Sequence, residues 1–184
     1  MFFHAGQICS AGEKILVESP IHDAYFEALS ARMKAITVGN GADPDTRMGP
    51  LISAAHRQKV EDHVALALSE GATLVVGGAR PDDPALANGF FYLPTLLTGC
   101  TPEMTISREE VFGPVIGVER FDSEAEAIAR ANDTVYGLSA GFWTTDEARI
   151  ERVSRCLLYT SPSPRDQRGC GIASWAWKKK GGGG

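Results

Sequence analysis

No apolar run in this chain approaches the roughly 18 residues that a membrane span requires, and Met1-Phe2-Phe3-His4 lacks the basic start and long apolar middle of a signal peptide. The expectation is a chain that neither crosses a membrane nor is exported. Cysteine is scarce: the residues at 9, 100, 156 and 170 have neither the density nor the spacing of a disulfide framework or a zinc site, which points to a reducing compartment, the cytoplasm. There is no basic stripe either. The 18 basic and 23 acidic side chains are scattered and sum to −5, so nucleic-acid binding is not expected. "GNG" at Gly39 to Gly41 has no third glycine and no strand before a helix, which makes it a turn rather than a dinucleotide loop. His56 and His63 stand two helical turns apart instead of one, and Asp43-Pro44-Asp45 has no calcium-loop spacing behind it, so no metal site is expected.

What is present suits one domain with one real core: 184 residues, 43% of them hydrophobic. The texture changes at Cys156. "CLLYTSPSPRDQRGCGIASWAWKKKGGGG" loses helical period, gathers Pro, Ser and Gly, and ends in lysine and glycine runs, the composition of a disordered extension. Cys156 to Asp166 back-translates into a sequence resembling a transposase-type adapter of DNA sequencing libraries. Residues 156–184 are therefore expected to be a non-native, disordered tail, leaving 1–155 as the native part with 13 basic against 22 acidic side chains.

Within 1–155, Lys14 to Val17 reads as a strand, and Ser19-Pro20 starts a helix whose Tyr25, Phe26, Leu29, Met33 and Ile36 share one face. A Gly/Pro-punctuated loop, Gly39 to Pro50, leads to Ser53 and a second helix with Val60, Val64, Ala67 and Leu68 on one side, stopped at Gly71. "ATLVVGG", Phe90 to Leu97, Pro114 to Phe121 and Ser139 to Trp143 read as strands. Ser123 with Glu126 caps a helix through Ala131, Thr145 to Ser154 is another, and Tyr136 and Trp143 are expected in core or hinge packing. Strands alternating with helices predict an α/β fold with a largely parallel sheet flanked by helices.

Two stretches could carry chemistry. In "FFHAGQICSAGEKILV" the small residues Ala5, Gly6, Ser10, Ala11 and Gly12 surround Cys9 and let a substrate carbonyl approach the backbone. A nucleophilic thiol needs that access, together with an N–H aimed at the developing oxyanion, which the Cys9 amide itself could supply. Taken alone, the stretch equally describes a small buried thiol. In "REEVFGPV", Glu109 and Glu110 are either solvated charges or a carboxylate for a sugar diol beside Phe112, whose ring offers a flat face to a cofactor. Alternation in an extended segment would aim Glu110 and Phe112 to one side.

These two stretches, with "MGPLIS" (Met48 to Ser53) and "ANDTVYGLSAGFWT" (Ala131 to Thr144) in register around them, resemble the aldehyde dehydrogenase superfamily from Phe2 to about Arg155. The resemblance implies a section of that catalytic domain, truncated at both ends, in an NAD(P)-dependent oxidoreductase acting on a small aldehyde. It implies Cys9 as the nucleophile that forms a thiohemiacetal and then a thioester. Glu110 matches the glutamate on the nicotinamide ribose hydroxyls and Phe112 the aromatic beside the nicotinamide. His56 to Lys59, and Lys59 in particular, match a region near the adenosine side; NAD or NADP is left open. It further implies a homodimeric or homotetrameric parent. The family's Gly-rich dinucleotide domain, general-base glutamate and oxyanion-hole asparagine precede the cysteine motif and do not occur in these 184 residues, so the isolated chain is expected to be inactive. His4 stands where the family commonly has asparagine. Two other readings compete: a free-standing cysteine acyl-transferase or esterase using His4 as base, and a non-enzymatic interaction module.

Overall fold

The apolar run after Glu13 forms strand β1 (Lys14–Glu18), and Ser19-Pro20 turns it directly into helix α1 (Ser19–Lys34), with proline in the first turn where its missing N–H forfeits no hydrogen bond. The computed structural model describes residues 1–158, in two units divided after Ser123. In the first unit, the loop after α1 closes on itself through a Val38–Met48 bridge. Ser53 then caps α2 (Ala54–Glu70), its Oγ accepting from the His56 N–H at 3.1 Å. Gly71, at φ 111°, ends α2 in the left-handed conformation that a side chain would resist, and its N–H reaches the Ala67 and Leu68 carbonyls. Strands β2 (Thr73–Val76) and β3 (Thr95–Thr98), the single turn α3 (Thr105–Arg108) and strand β4 (Val115–Phe121) complete the unit.

The strands lie in the order β1-β4-β3-β2. β4 is parallel to both β1 and β3, with Lys14 opposite Gly117 and Thr95 opposite Val115, while β2 pairs antiparallel at the edge. Side chains alternate between two cores: Leu96, Ile116 and Val118 join Val17 of β1 and Met33 of α1, whereas Leu97 and Val115 join Val60, Val64 and Ala67 of α2. A sheet covered on both faces explains why consecutive residues of its central strands, Leu96-Leu97 and Val115-Ile116, are apolar and buried rather than alternating. Parallel neighbours also start at the same end. The loop that leads into β1, carrying Cys9, and the loop that leads into β4, carrying Glu110 and Phe112, are therefore delivered to one edge of the sheet, although about a hundred residues separate them.

The second unit contains α4 (Glu124–Asn132) and α5 (Glu147–Cys156). Arg152 donates to both carboxylate oxygens of Glu124 at 2.7 Å and Arg149 Nε to one of them at 3.1 Å. Asp146 caps α5 through the Ala148 and Arg149 amides.

Three expectations are corrected. Only the last part of Phe90 to Leu97 is strand, because Pro94 has no N–H to give a ladder and the Leu93 amide is turned to the Ala79 carbonyl. Ser139 to Trp143 is irregular and joins no strand, and Tyr136 and Trp143 are exposed rather than core, Trp143 to 82%. Of the tail expected over 156–184, Cys156 is the last residue of α5, and residues 159–184 lie outside the described residues. Among the described residues no helix is long and apolar enough to cross a membrane.

Candidate active site

The residues before Cys9 make a left-handed turn. His4, Ala5 and Gly6 have φ of 50°, 55° and 76°, a run that only surrounding contacts can hold in place for the first two. Those contacts are specific. Ala5 is buried, and a Cβ on Gly6 would stand 2.1 Å from the Gly113 carbonyl oxygen, so Gly6 packs backbone to backbone against the second motif. Gln7 ties the turn on both sides, its Nε2 donating to the His4 carbonyl at 2.8 Å and its Oε1 accepting from the Ile52 amide at 2.9 Å. The next turn, closed by the Ala11 N–H on the Ile8 carbonyl at 2.9 Å, lifts Cys9 to the surface as an exposed free thiol. No acceptor among the described residues takes the Cys9 amide proton, which leaves that N–H available to an oxyanion.

Glu109 to Gly113 belongs to no strand, and between its main-chain-bonded ends side chains hold the backbone of Glu110 to Phe112. From α2, Lys59 Nζ donates to the Glu110 carbonyl at 3.0 Å and His56 Nε2 to the Phe112 carbonyl at 2.7 Å. His63 Nε2 lies 3.5 Å from Glu109 Oε2. From the opposite side, the Glu13 carboxylate accepts from the Val111 N–H at 2.9 Å and the Phe112 N–H at 2.7 Å. Phe112 has φ 58°, so the segment is not extended there and simple alternation does not describe it. The outcome is still that Val111 is buried, Phe112 half-buried and Glu110 exposed. Burial pushes the Glu13 carboxyl above its ordinary value of 4.5, against the two amide hydrogen bonds and Lys59, while Glu110 pushes it the same way as burial.

The structure thus joins the loop of Cys9 to that of Glu110 and Phe112 through Gly6, Gly113 and Glu13, and it places Lys59 on the Glu110 backbone. The His4 ring packs edge-on against Phe3, with centroids 4.4 Å apart. Sequence reasoning passed over Glu13 and Gln7. A charged residue directly at the start of a strand, four positions after the nucleophile candidate, was the available signal for the first. Cys100 is a buried thiol whose pKa burial pushes up to about 11, packed near Gly117.

Comparison with known proteins matches residues 1–160 to the model of the aldehyde dehydrogenase family. The chain is 54% identical over 157 residues to a betaine aldehyde dehydrogenase of Bacillus subtilis, covering 85% of this chain and 32% of that protein. It is 42% identical over 155 residues to 4-trimethylaminobutyraldehyde dehydrogenase of Rattus norvegicus, covering 83% and 31%. Among solved structures, betaine aldehyde dehydrogenase of Staphylococcus aureus in complex with NAD+ superposes with a TM-score of 0.84 at 50% identity, over 85% of this chain and 31% of that one. The chain spans about a third of the length of these relatives.

Proposed function

Because this chain belongs to the aldehyde dehydrogenase family, we propose that it carries the nucleophile and the nicotinamide-side contacts of an NAD-dependent oxidation of an aldehyde to a carboxylic acid. The observation that supports this most is the direct packing of Gly6 on Gly113, which fixes the Cys9 loop against the loop of Glu110 and Phe112. In this reading the Cys9 sulfur adds to the aldehyde carbon, and the oxygen that gains charge is received by the Cys9 N–H. The cofactor, when bound, accepts hydride from that carbon. The thioester left on Cys9 is cleaved by water, returning the thiol and releasing the acid. Glu110 and Phe112 suit the cofactor's ribose and nicotinamide: the backbone between them is held by Glu13, Lys59 and His56, so their side chains are the groups it presents. Lys59 supports the adenosine side and, through the Glu110 carbonyl, the same loop. NAD is favoured over NADP by the NAD+ complex of the Staphylococcus aureus relative.

Relatives named for betaine aldehyde and 4-trimethylaminobutyraldehyde make a quaternary-ammonium aldehyde the first substrate to test. The proposal extends to a self-associating parent in the cytoplasm, where free thiols such as Cys9 and Cys100 stay reduced. It also holds that the 184 residues alone do not complete turnover. A segment exchange tests the reading: residues 1–157 replace the corresponding third of the Bacillus subtilis relative, and NADH formation from betaine aldehyde is followed. The exchange should keep activity within about tenfold, and Cys9→Ala within it should lower kcat by at least ~10³-fold. An exchanged enzyme indifferent to Cys9→Ala would end the proposal.

A further inference from the structure

We propose that Glu13 is a positioning residue: its carboxylate, rather than the sheet, sets the Val111–Phe112 backbone from which Glu110 and Phe112 are presented. The inference rests on the cofactor reading above for its functional meaning, and on geometry for its substance. Both Glu13 oxygens are committed to consecutive amides, at 2.9 Å and 2.7 Å. Two adjacent N–H groups converging on one carboxylate need a sharp backbone turn between them, and Phe112 supplies it with φ 58°, a conformation that a bulky residue adopts only when surroundings impose it. The main chain of Glu13 belongs to the sheet edge, its carbonyl accepting from the Gly117 N–H at 3.0 Å. The same residue therefore locks the start of β1, four positions after Cys9, to the start of β4 and to the loop between them. Beside the Gly6–Gly113 contact, this carboxylate is the second tie that fixes the separation of the nucleophile's loop from the loop proposed to seat the nicotinamide.

Stability alone does not account for this carboxylate. Burial, and after it the neighbouring Glu110 charge, disfavour its ionised form; the Val111 and Phe112 amides and Lys59 of α2 favour it, and burial outweighs them. A side chain kept where its charge costs stability is the pattern expected of a residue retained for geometry.

The test is hydrogen–deuterium exchange by mass spectrometry on the 184-residue chain, with rates corrected for intrinsic exchange, in wild type and Glu13→Gln. Glutamine keeps the shape but can accept only one of the two amides and turns a donor on the other. Exchange at residues 111 and 112 should rise about tenfold or more, while strands β1 and β4 and helix α2 stay within about twofold. A merely structural role predicts instead that all these amides speed up together, and that result, or no change at 111 and 112, would overturn the proposal. Should Glu13→Gln fail to fold, wild type decides: protection at 111 and 112 must fall selectively as acid protonates Glu13, and unchanged protection refutes it. NAD+ is added separately to the exchanged Bacillus subtilis enzyme, whose remaining two thirds accompany residues 1–157. Selective loosening in Glu13→Gln without any NAD+ protection of 109–113 in that enzyme would remove the cofactor reading and leave Glu13 as the residue that shapes the loop.

Discussion

Gly113 is closed in from two sides: its carbonyl lies against Gly6, and a Cβ placed on it would meet Val60 Cγ2 at 2.6 Å. Space for a methyl exists at neither glycine. Gly6→Ala adds a Cβ 2.1 Å from a backbone oxygen in a residue held at φ 76°, so it is expected to cost roughly 3 kcal/mol, read from the urea midpoint at constant slope. The thiols separate equally sharply. Cys9 and Cys156 are exposed, whereas Cys100 is buried with its pKa pushed up to about 11. Iodoacetamide at neutral pH followed by peptide mapping should modify Cys9 and Cys156 and leave Cys100 unmodified until the chain unfolds. His4→Ala should leave the pH–rate profile of Cys9 alkylation where it was, because the imidazole is packed on Phe3. A profile that moved would revive the esterase reading.

At the scale of the element, α2 does more than cover the sheet. Its buried stripe of Val60, Val64 and Ala67 faces the core, and one helical turn contributes His56 and Lys59 to the carbonyls of the Glu109–Gly113 loop. Helix position and loop position are thus coupled. Ser53→Ala, which leaves the His56 N–H without its cap, is expected to cost about 1 kcal/mol. Val60→Ala opens a cavity at a fully buried side chain against Gly113 and should cost about 2 kcal/mol. The two readings differ in the exchange data. Loss of the cap frays the first turn of α2, while loss of Val60 loosens the whole helix and residues 109–113 together.

For the whole molecule, pH acts through carboxylates pulling in opposite directions. Glu61 is held below the ordinary carboxylate range by its Arg80 hydrogen bonds, at 2.7 Å and 2.9 Å, so its stabilisation is present above its unfolded value and fades as pH falls through the folded one. Glu13 has the reverse sign. Raised in the folded state, it binds its proton more tightly folded than unfolded, so its contribution to stability falls as pH climbs from about 4.5 to its folded value and stays low beyond. Urea midpoints at acid and neutral pH should therefore show wild type losing more stability than Glu13→Gln as pH rises through that window. Equal pH dependence in the two would mean that the Glu13 charge carries no penalty.

The sequence by itself determined the long helices, the segments of β1, β2 and β4, and which stretches belong to the aldehyde dehydrogenase pattern. Periodicity, the Ser53 cap, the Gly71 stop and the apolar runs of β1, β3 and β4 are local properties, written where they act. It misjudged Phe90 to Pro94 and Ser139 to Trp143, where apolar content resembles a strand but no ladder forms. Cys9, Glu110 and Phe112 were legible as residues with chemistry, yet nothing local says that their loops touch. Only the tertiary structure decided that, because β1 and β4 run parallel and begin at one edge of the sheet. The same contact is what gives Glu13 its partners: a carboxylate beside a strand start reads as ordinary surface charge until amides from about a hundred residues away arrive on both its oxygens. Propensity is a property of neighbours in sequence, and this site is built from neighbours in space.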